Sequence, residues 1–311
     1  MPIHNGHLAL IDFACAHCDE LVVSMSFTTY DSIPPVIRFS WIKEIFLNQH
    51  RIKPVMIKDD FDDESLPLRE RTKKWSDHIK KIFPPIDIVF SSENYGEPFA
   101  FHLQAVHHPF DPERKIVPVS AALIRENPFK YWDFIPYVVR PYFVKKICFY
   151  GPESTGKTVL VKKLAGMYQT EFVPEVAREL ISSNDFTTED IIKIGHAQLA
   201  RIEEKIKTAN KVLFCDTDVI TTQLYSRHYL GSIPEVLYEL ERKMQYDLYF
   251  LMDIDVPWVA DGMRDLGHER QKMFAKFRQA LVMRNIPFIL VQGNYDQRQE
   301  TVIREINQLL G

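Results

Sequence analysis

Nothing in this chain reads as a membrane anchor: no apolar run approaches the roughly 20 residues that span a bilayer. No basic stretch with an apolar core behind it opens the sequence either. Internal repeats and low-complexity tracts are absent, which excludes solenoids and disordered arrays. Net charge is only −4 at pH 7, so no bulk positive field suits coating nucleic acid or an anionic membrane. Cysteine is scarce, four in 311 residues. Cys15-x-x-Cys18 has His17 between its cysteines but no second pair to complete the four ligands of a structural zinc site. Leu8, Ile11, Cys15 and Cys18 are spaced to share one helix face, so both thiols read as core. Cys148 and Cys215 lie in apolar runs and read the same way. These absences together predict a cytoplasmic chain with neither nucleic acid nor membrane among its partners; a homo-oligomer is compatible with them.

What remains is an ordinary globular composition, 46% hydrophobic and 26% charged, long enough for two domains. ELVVSMSF (20–27), DIVFSS (87–92) and KIVPVS (115–120) read as buried strands, with the helix-spaced VIRFSWIKEIFLNQ between the first two. His107 and His108 read as loop residues without a role. NPFKYWDFIPYVVRPYF (127–143), rich in aromatics and prolines, reads as a small helical packing element at a domain boundary. A second alternating series follows: KKICFY, FVPEVA, KVLFCDTD, YDLYFLMDID and PFILVQGNY, separated by helical stretches. Strands alternating with helices predict an α/β fold made of two doubly wound parallel-sheet domains, 1–143 and 144–311.

The strongest motif is in the second half. Gly151-Pro-Glu153-Ser154-Thr155-Gly156-Lys157-Thr158 matches GxxxxGK[ST] at every fixed position, with a strand-like run before it and a helical one after it. In that setting loop amides and a helix N-terminus surround phosphate oxygens, Lys157 reaches the β and γ phosphates of ATP, and Thr158 holds Mg²⁺. A mechanical ATPase places a water-polarising glutamate after its second strand, but here VLFCDTD offers Asp216 and Asp218 and no glutamate. Transfer to an acceptor hydroxyl is therefore expected rather than hydrolysis, with one aspartate, taken as Asp216, serving Mg²⁺. Glu175, just past a strand end, is placed to bond sugar hydroxyls or take the acceptor proton, and Arg178 to meet phosphate. Glu175, Asp216 and Asp218 all remain candidates for the base. Gly262 to Lys272, with Arg264 and Arg270, reads as a lid that brings arginines onto the transferring phosphate.

GPESTGKT, PEVARE, DTDVITTQ and VPWVADGMRDLG, in this order, closely resemble the bifunctional nicotinamide-mononucleotide adenylyltransferase / ribosylnicotinamide kinase family of bacterial NAD salvage. The resemblance implies phosphorylation of nicotinamide riboside by ATP in the C-terminal half. It also places Trp258 and Tyr295 around the nicotinamide ring, a flat cation suited to an aromatic face. The N-terminal half resembles the Rossmann-like HxGH nucleotidyltransferases, which implies adenylyl transfer from ATP to nicotinamide mononucleotide, giving NAD. His4 and His7 then bind phosphate, Gly6 lets the backbone approach, and Ser120 and Arg125 of PVSAALIREN contact phosphate. SSENYG (91–96) matches a nucleotide-side loop, and Trp75 is a candidate to stack nicotinamide.

Two departures from the family pattern bear on activity. Ala122 stands where the family's Ser-x-Thr-x-x-Arg has threonine, and the loss of one hydroxyl bond to a charged group costs roughly 1.5–3 kcal/mol. Only Met1, Pro2 and Ile3 precede the first histidine where family members carry a full strand, so the natural protein is expected to start upstream of Met1. Two other readings stand beside the two-step enzyme. One is a kinase with a degenerate N-terminal scaffold; the other is a regulatory nucleotide-binding switch.

Overall fold

The computed structural model describes residues 1–183, 185–260 and 265–311. The chain divides into two units, Met1–Val139 and Arg140–Gly311. The first unit runs α1 (Asn5–Cys15), β1 (Leu21–Phe27), α2 (Pro35–Ile45), β2 (Ile52–Lys58), α3 (Leu68–Ile82), β3 (Ile88–Ser91), α4 (Gly96–Leu103), β4 (Val106–Pro109) and α5 (Ala121–Glu126). Its strands form two parallel ladders, β1 with β2 and β3 with β4, and α1 packs against both β1 and β3. Ile3, Ile11, Ala14, Met25, Ile42 and Ile57 form part of its core.

The strand expected at 115–120 does not form. The Asp111 carboxylate accepts hydrogen bonds from the backbone N–H groups of Lys115 (2.7 Å), Ile116 (3.0 Å) and Val117 (3.0 Å), so a side chain takes donors that a ladder would have used. His107 and His108, read as loop residues, lie in β4, opposite Val89 and Phe90. β2 escaped the sequence reading because Pro54 interrupts it; among the described residues β2 pairs with β1 alone, and such an edge position tolerates proline. Cys15 closes α1 and Cys18 lies beyond it, both half-buried, so they do not share a core helix face as expected.

The second unit runs β5 (Lys145–Tyr150), α6 (Lys157–Tyr168), β6 (Phe172–Val173), α7 (Ala177–Leu180), α8 (Thr188–Lys205), β7 (Val212–Asp216), α9 (Val219–Leu230), α10 (Glu235–Lys243), β8 (Leu248–Met252), α11 (Arg270–Met283), β9 (Ile289–Val291) and α12 (Tyr295–Leu310). Its five strands are all parallel, in the order β6-β7-β5-β8-β9. Side chains of the central strands alternate between two cores. Ile147, Phe149, Phe250 and Met252 meet α6 and α12 on one face. Cys148, Tyr150, Tyr249 and Leu251 meet α9 and α11 on the other. Near-continuous apolar strands are the mark of a sheet covered on both sides. In sequence β5 comes first, yet it lies in the middle of the sheet. Crossovers therefore leave it in both directions, and this places a crevice at the carboxyl ends of β5, β7 and β8.

Candidate active sites

The loop that leaves β5 turns back on itself before α6. Gly151 has φ +140°, and a Cβ there would lie 2.9 Å from the Met252 carbonyl oxygen; Gly156, the N-cap of α6, has φ +84°. Both positions favour glycine, the first for space as well as for conformation. Lys157, buried at the first turn of α6, donates to the carbonyls of Gly151 and Pro152, both at 2.8 Å. Its ammonium is thereby folded over the loop. Thr158 Oγ1 donates to Asp216 Oδ2 at the end of β7. The other Asp216 oxygen is buried with no hydrogen-bond partner. Burial pushes this carboxyl up to about 6 despite the opposing pull of Lys157.

Two arginines fix the loop from outside. Arg298, in α12 and only 1% exposed, donates to the Thr155 carbonyl (2.8 Å), the Gly293 carbonyl (2.8 Å) and the Asp253 carbonyl (3.0 Å), and pairs with Asp255. Arg270 donates to the Ser154 carbonyl at 3.0 Å and to the Val256 carbonyl at 2.6 Å. Glu153 accepts from the Leu266 N–H at 2.9 Å, and Ser154 Oγ from the Val259 N–H at 2.7 Å. Gly262 and Arg264 of the expected lid lie outside the described residues.

Beside this loop a cavity opens, lined by Glu153, Glu175, Arg178, Gln198, Thr217 and Tyr225 among others. Glu175 and Arg178 are paired at 2.7 Å. Asp218 faces elsewhere. It caps α9, with Oδ1 accepting from the Thr221 N–H (3.0 Å) and hydroxyl (3.2 Å), while Oδ2 accepts from the Tyr249 hydroxyl at 2.9 Å. At 1% exposure its carboxyl is raised to about 6 by burial. Trp258 and Tyr295 do not line this cavity. Trp258 lies against Gly267, and Tyr295 stands beside Gly156 of the phosphate loop. Sequence reasoning missed Arg298, Gln198 and Tyr225, because each sits inside an otherwise unremarkable helix.

In the first unit, His4 and His7 stand with ring centroids 3.8 Å apart at the start of α1. His4 Nδ1 accepts from the Gly6 N–H (3.1 Å), and His7 Nδ1 from the His4 N–H (3.3 Å). A backbone N–H can only donate, so each Nδ1 carries the lone pair and each Nε2 the proton. Burial, with nearby positive charge, lowers the His4 imidazole to about 4 and His7 well below its ordinary range. The pair is thus two neutral N–H donors at neutral pH. A Cβ on Gly6 would crowd the His4 ring at 3.0 Å.

Ser120 caps α5 by accepting from the Leu123 N–H at 3.2 Å, and Arg125 donates to the Met1 carbonyl at 2.9 Å. Arg125 and the histidine turn thus belong to one neighbourhood. Trp75 lies beneath the Arg71 guanidinium (5.4 Å) and edge-on to Tyr95 (5.6 Å).

The model of the AAA domain family matches residues 146–298. The trifunctional NAD biosynthesis/regulator protein NadR of Escherichia coli (strain K12) is 33% identical over 339 aligned positions, which cover all of this chain and 81% of that protein. The chain belongs to the NadR family. Two solved NadR structures have its fold, each at 22% identity and TM-score 0.81. One, in complex with NAD and AMP-PNP, aligns with all of this chain and 93% of its own; the other, in complex with NR, aligns with 99% and 92%. In this NadR-family chain the described residues include no helix long and apolar enough to cross a membrane.

Proposed function

We infer that this chain makes NAD in two ATP-dependent steps. The second unit phosphorylates nicotinamide riboside to the mononucleotide, and the first unit transfers the adenylyl group of ATP to that product. Family membership supports both steps. The observation that carries the kinase step is the convergence of Lys157, Thr158 and Asp216 on one end of the sheet, beside a cavity holding Glu175 and Arg178.

Loop amides and Lys157 hold the β and γ phosphates, and the Lys157 ammonium exchanges its two carbonyl partners for phosphate oxygens. Thr158 and Asp216 suit Mg²⁺, since a buried carboxylate oxygen without a partner beside a hydroxyl is a hard oxygen pair in search of a cation. The metal would supply neutralisation of phosphate charge. Of the two carboxylates of the acceptor cavity, Glu153 accepts from the Leu266 N–H and Glu175 is the one placed to take the riboside hydroxyl proton; Asp218, with every oxygen engaged, holds α9 instead. Tyr295, beside Gly156, suits the donor's flat adenine, while Trp258 packs against Gly267. Arg270 steadies the Ser154 carbonyl while phosphate is bound. Phe186, Tyr225 and Tyr229 give the acceptor cavity an aromatic wall for the pyridinium.

In the first unit the two Nε2–H groups would bind the ATP phosphates and meet charge that builds as the α-phosphate is attacked; no covalent intermediate is needed. Arg125 and Ser120 assist, and Trp75 offers its ring to the nicotinamide.

The test is incubation of the chain with nicotinamide riboside, ATP and Mg²⁺, with products resolved by chromatography. Mononucleotide and NAD should both appear, and both should vanish on chelation of the metal. Mononucleotide without NAD would reduce the first unit to a scaffold. No mononucleotide would overturn the reading of the acceptor.

A further inference from the structure

Helix α8 turns a nearly uniform apolar stripe inward: Ile191, Ile194, Gly195, Gln198 and Ile202 are its buried residues. Gln198 is the exception. Its side chain is 3% exposed, its Nε2 is buried without any hydrogen-bond partner, and it lines the same cavity as Glu175 and Arg178. An unpaired buried amide donor forfeits its hydrogen bonds to water, so such groups are rare unless a ligand satisfies them. Gln198 shares the cavity with Ile191 and Ile194 of its own helix and with the rings of Phe186, Tyr225 and Tyr229. Those rings form a connected wall: Phe186 meets Tyr229 edge-on at 5.2 Å, and Tyr229 stacks with Tyr225 at 6.3 Å. Two charged groups of the cavity, Glu175 and Arg178, pair with each other and suit ribose hydroxyls and phosphate, and the third, Glu153, accepts from the Leu266 N–H. A flat base on the aromatic wall that carries an oxygen acceptor at its edge would satisfy both the rings and the amide.

We propose that Gln198 is a specificity-determining residue of the kinase site: its Nε2 donates to the carboxamide oxygen of the nicotinamide ring and selects ribosides that carry that group. The assignment rests on the cavity being the acceptor site of the riboside kinase. A ribose hydroxyl is the weaker candidate, because Gln198 lies on an apolar helix stripe.

The experiment compares nicotinamide riboside with ribosylpyridinium, the same riboside without its carboxamide, in the wild type and in Gln198→Met, an apolar side chain of similar length. The wild type should favour nicotinamide riboside. In the variant, kcat/KM for nicotinamide riboside should fall about ten- to a hundredfold, mostly through KM, while that for ribosylpyridinium stays within about threefold. Removing an unpaired buried donor should leave the ligand-free melting temperature unchanged or higher, with less stabilisation by added nicotinamide riboside. An equal loss on both substrates, or a lower melting temperature, would make Gln198 a structural residue and overturn the proposal. Unchanged discrimination in an active variant would overturn it while leaving the kinase reading intact. A wild type that phosphorylates neither riboside would remove the kinase reading and this proposal with it.

Discussion

In the second unit the phosphate loop hangs from the middle of five parallel strands, whereas in the first the paired histidines open α1 beside ladders of two strands each. The supports differ in kind. Lys157 and its loop are fastened by distant side chains: Arg298 from α12 and Arg270 from α11 both bond loop carbonyls. His4 and His7 are fastened almost wholly by their own turn, each ring accepting a backbone N–H within three residues. A site built from its own turn is legible from a short motif and has few distant parts to lose. A site held by remote clasps can be damaged far from its motif.

The sharpest break in this comparison is Lys157→Ala, which should cut mononucleotide formation by roughly 10²–10³ or more. NAD formation from supplied mononucleotide should stay near the wild-type rate. His4→Ala and His7→Ala should do the reverse, each lowering adenylyl transfer by about 10²–10³ while riboside phosphorylation continues. Glu175→Gln should lower kcat of the kinase by ~10²–10⁴ if that carboxylate takes the acceptor proton. Asp218→Asn preserves the α9 cap and should cost less than about tenfold; a loss as large as that of Glu175→Gln would return Asp218 to the chemistry.

Acid should separate the two sites as well. The folded His4 imidazole sits near 4 and the unfolded one near 6.5. Between these values the unfolded chain binds a proton that the folded chain does not. Stability supplied by neutral His4 is therefore complete above about pH 6.5 and falls as pH drops towards 4, by on the order of 2–3 kcal/mol. His7 acts in the same direction. Melting of the first unit, followed by imidazole resonances, should track this fall, and His4→Gln should flatten it. The smallest effect expected is a gain: Ala122→Thr should raise adenylyl transfer, by up to about tenfold.

How much of this was legible in the sequence follows from the same contrast. β5, β7 and β8 are uniform apolar runs because both their faces are covered, and all were readable. β2 and β4 were not: Pro54 breaks the first, and two histidines and a proline fill the second. KIVPVS has the residues of a strand, yet the Asp111 carboxylate had already claimed its amides, a competition that composition does not reveal. Lys157, Thr158 and Asp216 could be singled out in the sequence because phosphate and Mg²⁺ chemistry dictate residue type at fixed spacing, and the structure brings Thr158 against Asp216 and Lys157 over the loop. Asp218 was ambiguous, since an aspartate before a helix serves equally as a cap, and its bonds to Thr221 and Tyr249 favour the cap. Gln198 and Arg298 are distinguished by their burial, and a single polar residue in a helix does not announce which way it points.

The clasp between Arg298 and the Thr155 carbonyl joins residues 143 positions apart. As the chain leaves the ribosome, β5 emerges early but has neither flanking strand, and the last bond to its loop waits for α12. An interrupted product that ends before α12 would carry the whole GxxxxGK[ST] signature and still lack a fastened phosphate cradle. The phosphate cradle of this unit is thus complete only once α12 has joined the sheet.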